Sequence, residues 1–479
     1  MLARSLVLAA VLTLLLAVPP SWAEPQGEGI LWENPHRDYV TRYEGTRTCL
    51  ACHEEQAKHV FGSVHYQWKA DAPNIVNSKG QKLGKLNTSN DFCTNPSVSW
   101  IAILKNDEGK VIANGCSKCH TGLGLKPAAE ESRVQLENVD CLVCHSASYR
   151  RAVVKQDDGS LRWQPVALGN PEAMLTIAQS VGRPTNEACL RCHVGSGGGL
   201  NFKRGDLETV HARAPRDFDV HLGSGMQCIQ CHKFKEHKIL GSGTQMGGMD
   251  RPGEAQPQCE GCHRGQVHVS AALNRHTRSV ACTTCHIPGF AKHDPTDVRR
   301  DWSRSEPVPG QGRFEPAIEF KKNVTPVYAW WNGKGALALL DEPVQAGPNG
   351  KVGLYTPQGS IADPAAKIHP FKYHEAKLPI DNATRRLIPI AVGMVFRAGK
   401  NEAATKAGAK AYFGREVTDI GWIETERWMG LFHEVVPRKD ALACNACHSG
   451  GTRLDWKALG YPGDPMKVGA RRVKAAATR

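Results

Sequence analysis

Eight copies of one pattern, Cys-x-x-Cys-His, constrain this 479-residue chain more than any other feature. The cysteine pairs are Cys49/Cys52, Cys116/Cys119, Cys141/Cys144, Cys189/Cys192, Cys228/Cys231, Cys259/Cys262, Cys282/Cys285 and Cys444/Cys447. Each pair is followed at once by a histidine: His53, His120, His145, His193, His232, His263, His286 and His448. Of the 17 cysteines, Cys93 alone stands outside the pattern. A disulfide scaffold or zinc sites also use paired cysteines, but neither requires histidine at the next position. Cys-x-x-Cys-His is the attachment signature of c-type haem, in which both thiols bond the porphyrin and the histidine meets the iron. The pattern therefore predicts eight covalently bound c-type haems.

That reading explains a thin hydrophobic inventory. With 41% hydrophobic and 7% aromatic residues, a chain this long needs another core material, and about one haem per 57 mature residues supplies it. It also reinterprets the charge of +13, which would otherwise suggest nucleic acid. Each ferric haem with two propionates brings about −1, so eight of them reduce the surplus to about +5. No nucleic-acid partner is expected. Arg4, the apolar run from Leu6 to Val18 and the ending Ser21-Trp22-Ala23 fit a signal peptide over residues 1–23, cleaved after Ala23. No later run approaches the roughly 20 apolar residues of a membrane span. The expected location is the periplasm, with no integral membrane segment.

The motifs are unevenly spaced, so no tandem repeat is expected. Residues 24–293 form a haem-rich region with seven sites. Residues 294–443 form a haem-poor wrapping region with helices, and residues 444–479 hold the eighth site and a basic tail. Within the wrapping region, Leu387 to Phe396 reads as strand-like and Asn401 to Phe413 as a short helix. Glu424 to Leu442 reads as a longer helix broken at Pro437 and carrying His433. The fold class expected is mainly α with extensive loops, a multihaem cytochrome c fold with little β-sheet.

Electron-transfer haems take a second strong axial ligand, usually histidine or methionine. Twelve histidines lie outside the motifs, more than eight sites need, so counting identifies no active site. Cys93 lies in Asn90-Asp91-Phe92-Cys93, 23 residues before Cys116. It is either a buried free or intermolecular thiol, or a reactive thiol beside a haem.

Beyond the motifs, the chain carries the Asn-Asp-Phe-Cys segment, Glu137-Asn138-Val139-Asp140, Gly197-Gly198-Gly199 with Gly205-Asp206-Leu207, Ile287-Pro288, His369-Pro370-Phe371-Lys372 and Ala441-Leu442-Ala443. Together with the haem order and its long final gap, these stretches resemble the octahaem tetrathionate reductase family of periplasmic cytochromes over nearly the whole mature chain. The resemblance implies that the second haem, on Cys116, Cys119 and His120, is catalytic, with Cys93 near its distal face. It implies distal iron ligands at His36, His65, His221, His237, His268, His276 and His433. The family's active haem has a lysine ligand in a Val-Gly-Lys segment, where this chain has Val181-Gly182-Arg183. A guanidinium stays protonated and has no lone pair to give. Three outcomes are then open: a vacant or water-bound iron flanked by Arg183, another ligand such as Lys155, or a different correspondence.

The expected activity is an oxidoreductase reducing a small sulfur or nitrogen oxyanion. The first choice is tetrathionate to thiosulfate at the second haem, with Cys93, Arg183 and His120 as catalytic residues. Two alternatives stand beside it: reduction of nitrite or hydroxylamine at an open haem, or a non-enzymatic electron-transfer cytochrome. The expected partners are a small inorganic anion and a quinol-linked or periplasmic cytochrome electron donor.

Overall fold

The computed structural model of the protein describes residues 34–451 and 453–471. The expected signal peptide and most of the basic tail lie outside the described residues. No helix among these residues is long and apolar enough to cross a membrane.

The attachment motifs occupy short helical turns. Cysteines at i and i+3 with histidine at i+4 share one face of such a turn, which brings both sulfurs and the imidazole to one side. Thr46–Phe61 (α1) carries the first motif and kinks at His53. Pro171–Gln179 (α2) is capped by Asn170, and Asn186–His193 (α3) carries the fourth motif. The second motif, Cys116–Cys119, is a single 3-10 turn.

The expectation of little sheet is overturned by an eight-stranded sheet built from the haem-poor stretch. Its strands are Thr296–Val308 (β1), Arg313–Lys321 (β2), Val327–Trp331 (β3), Gly335–Leu337 (β4), Val352–Pro357 (β5), Lys367–Asp381 (β6), Arg386–Leu387 (β7) and Ile420–Gly430 (β8). The order is β2-β1-β6-β8-β5-β4, with β3 and β7 also pairing β6. β6 runs parallel to β1 and antiparallel to β8. The principal apolar core packs Trp302, Leu354, Ala376, Leu378 and Ile380 against Val392–Ala398 (α4) and Asn401–Phe413 (α5).

Two local expectations fail with the fold class, and one matches. Glu424 to Leu442 is no helix: its first half is β8, in which Thr425, Arg427 and Met429 point inward and alternate with less buried neighbours. The operative period there is two, not 3.6. Leu387 to Phe396 ends a short strand and enters α4. The helix expected at Asn401–Phe413 forms over those residues.

Candidate haem-binding and catalytic site

Seven of the eight motif histidines face a second histidine. Ring centroids are 5.9 Å apart for His53 and His36, and 6.2 Å for both His145–His237 and His193–His65. They are 6.3 Å for His232–His433, 6.1 Å for His263–His221, 6.4 Å for His286–His268 and 6.1 Å for His448–His276. Two imidazoles on opposite sides of one metal, each bonded at about 2.0–2.1 Å, put their centroids about 6.3 Å apart. The pairs fit that spacing. Several rings are also anchored through Nδ1, which leaves Nε2 for a metal. His145 bonds the Gly182 carbonyl at 2.8 Å, His232 the Leu240 carbonyl at 2.9 Å, and His448 the Asp464 carboxylate at 2.5 Å.

The attachment cysteines differ in how far the chain itself encloses them. Cys52 and Cys262 are exposed, as are Cys231, Cys259 and Cys444, whereas the other eleven are partly covered. The physical reason is their place in the fold. Cys52 stands on the outer side of α1, where its neighbours Ala51 and His53 are exposed too, and Cys262 lies in the exposed run from Gln258 to Val267. None of the seventeen cysteine sulfurs is in a disulfide.

His120, in the second motif, is different. It is 1% exposed and packs against the rings of Tyr66, Trp68 and Trp100 at 4.7, 5.5 and 4.9 Å. Its Nε2 lies 2.7 Å from the Tyr66 carbonyl, and Nδ1 has no partner. Burial pushes its pKa down to about 3, so the ring is neutral. No described histidine stands opposite it at the spacing of the other seven.

Four features converge on this second motif. Cys93 packs against the sheet core that holds Trp302 and Leu378 and lines a cavity with Ser89, Asn90 and Leu340, and its thiol is close enough to Cys116 and Lys85 to act on them electrostatically. Lys85 lies among Cys116, Cys119 and Cys93, with Nζ 4.7 Å from the centre of the Trp68 ring. Lys203 is 5% exposed and sits 5.9 Å from the Phe92 ring. Burial, reinforced by Arg427 and Lys85, lowers its pKa well below the usual lysine range. Cys119 Sγ lies 4.0 Å from the Cys192 carbonyl oxygen, and Thr121 donates to the His65 carbonyl at 3.0 Å. The second motif therefore abuts the fourth.

Glycine is required where the walls meet. Gly197 has φ +93°, and a Cβ there would lie 3.2 Å from the Lys203 Cβ and 3.3 Å from the Phe92 Cβ.

Arg183 is not part of this assembly. It is exposed and follows Gly182, whose amide and carbonyl bond His145 in the third motif. Among the described residues nothing joins it to Cys93 or His120, so the expectation of a guanidinium above the second haem is corrected. Lys155 lies, exposed, at the end of the Arg151–Lys155 strand. Sequence reasoning missed Lys85 and Lys203. The available signal was a lysine eight residues before Cys93 and another inside the glycine-flanked Gly197–Gly205 stretch.

A family model described as bacterial cytochrome c matches residues 311–451. The crystal structure of octahaem cytochrome c from Shewanella oneidensis is similar with a TM-score of 0.73 and 31% identity, covering 92% of this chain and 100% of that one. The chain belongs to the multihaem c-type cytochromes. An uncharacterized protein of Archaeoglobus fulgidus is 33% identical over 233 residues, 42% of this chain and 76% of that protein. As in other c-type cytochromes, haem is bound covalently and the chain carries electrons. The histidine pairs and cysteine turns of this multihaem cytochrome fit that group.

Proposed function

We propose that this multihaem cytochrome is an exported, periplasmic reductase carrying eight haems, which reduces tetrathionate to thiosulfate at the second motif. The observation that carries the reading is the asymmetry of the sites. Seven motifs have a histidine pair suited to electron transfer. The remaining one, the second, instead has a thiol, the partly buried Lys85 and the buried Lys203 nearby.

Attached haem supplies one-electron transfer between neighbouring sites. The chain's own residues supply the rest. Tetrathionate is a dianion with an internal sulfur–sulfur bond, and a thiolate breaks such a bond by exchange. Cys93 attacks an inner sulfur, forming a Cys93–thiosulfate disulfide and releasing one thiosulfate. Two electrons delivered to the site then break that disulfide, which releases the second thiosulfate and regenerates the thiolate. No proton is consumed overall. Lys85 offers the cation that offsets the dianion. Lys203, whose charged form is disfavoured by burial and by neighbouring cations, would hold the iron through its amine, the lysine role that Arg183 cannot fill.

The test is anaerobic reoxidation of the reduced holoprotein by tetrathionate, with nitrite and hydroxylamine in parallel. Cys93→Ser is expected to abolish reoxidation by tetrathionate and to leave the haem spectrum unchanged; full turnover in that variant would sink the thiol mechanism. Reoxidation by nitrite or hydroxylamine in both proteins would move the chemistry to the iron. Indifference to all three oxidants would leave an electron carrier. Lys203→Ala is expected to alter the spectrum of one haem, and an unchanged spectrum would remove Lys203 as ligand.

A further inference from the structure

The sheet carries a buried polar network that the reaction above does not use. His374, on β6, is fully buried. Its Nδ1 meets Asp91 Oδ2 at 2.7 Å and its Nε2 meets Asp297 Oδ1 at 3.1 Å. Ionised carboxylate oxygens only accept, so both ring nitrogens donate. The Asp91-Phe92-Cys93 segment is gripped from several sides at once. Arg427 Nε donates to Asp91 Oδ1 at 2.8 Å, and Trp302 Nε1 to the Asp91 carbonyl at 2.6 Å. Arg300 donates to the Phe92 carbonyl and, at 3.1 Å, to the Gly197 carbonyl. The Phe92 ring stacks on His374 with centroids 4.0 Å apart.

Two residues earlier on the same strand, Lys372 is also fully buried. Its Nζ donates to the Phe202 carbonyl at 2.8 Å, to the Lys203 carbonyl at 3.0 Å and to Thr296 Oγ1 at 2.6 Å. Residues two apart on a strand share a face and stand about 7 Å apart. One face of β6 therefore holds both walls of the site. His374 ties down the thiol loop, and Lys372 ties down the lysine loop.

We propose that Lys372 and His374 are positioning residues, and that β6 serves as the ruler setting the separation of Cys93 from Lys203. This rests on the reading of the second motif given above. It differs from generic core stabilisation in one respect: each residue should govern one wall. Lys372 acts on the lysine loop and His374 on the thiol loop.

The test uses the holoprotein and two readouts that need no turnover. One is the optical and EPR signature of the second-motif iron, with Lys203→Ala as reference. The other is the rate of Cys93 alkylation by iodoacetamide, followed by mass spectrometry. Lys372→Met is expected to reproduce the spectral change of Lys203→Ala with the alkylation rate within twofold of wild type. His374→Gln is expected to change that rate at least tenfold while leaving the spectrum unaltered. Thr296→Val and Trp302→Phe remove one bond from the respective arms and carry the same two expectations in milder form, should the first pair fail to accumulate. Variants that move both readouts together, or neither, overturn the proposal. A clean division in a protein that ignores tetrathionate would retain the ruler and discard the reaction.

Discussion

His374 and its two carboxylates show how buried charge is tolerated here. Burial alone would raise the carboxyl pKa of Asp91, yet Arg427 and His374 hold it well below the usual range. Asp297 is likewise lowered, against its burial, by Arg300 and His374. An acid whose folded pKa is depressed contributes stability that is present above its unfolded value, about 3.9, and lost as pH falls through the folded one. Each group adds at most about 1.4 kcal/mol per pH unit to the acid limb. We expect the wild-type urea midpoint to fall more steeply than that of Asp297→Asn between pH 5 and pH 3; parallel curves would show that folding does not shift the Asp297 pKa. The same residues explain what stayed hidden in the sequence. Lys372 and His374 look like solvent-facing residues until their partners, 76 to 283 positions away, are known. Cys93 was conspicuous because it was the one unmatched cysteine. Lys203 was inconspicuous among many lysines.

At the scale of elements, β6 was illegible for reasons that are now physical. Pro370 and Pro379 interrupt it, and proline argues against a central strand. Its inward face reads Lys372, His374, Ala376, Leu378, Ile380, so part of the alternation is polar. β8 hides in the same way, with Thr425 and Arg427 on its buried side. α5 was legible because alanine and lysine dominate it and no long-range partner overrides that preference. Its packing gives a further test. A Cβ at Gly408 would lie 1.8 Å from the Pro389 carbonyl oxygen. Alanine gains about 1 kcal/mol in helix propensity, whereas forcing atoms into a packed contact costs about 1–3 kcal/mol. The contact is with backbone, which has little freedom to yield, so Gly408→Ala is expected to lower the melting temperature. A raised one would show that α5 can slide off the sheet.

Across the whole molecule, the histidine pairs join segments far apart in the chain, as when His433 meets His232 and His65 meets His193. EPR of the oxidised holoprotein is expected to show seven bis-imidazole irons and one of different ligation; eight equivalent irons would remove the distinction between the second motif and the rest. The attachment chemistry was determined by the sequence alone, because two thiols and an imidazole at i, i+3 and i+4 complete their geometry within one helical turn. How far each thiol is covered, from the exposed Cys52 and Cys262 to the partly buried Cys116, was not legible there. The histidine pairs, the exposed placement of Arg183 and the bonds that hold Asp91 and Phe92 were likewise decided by tertiary structure. Each depends on side chains that meet when the eight-stranded sheet closes against the haem-bearing loops, and no local pattern encodes such a meeting.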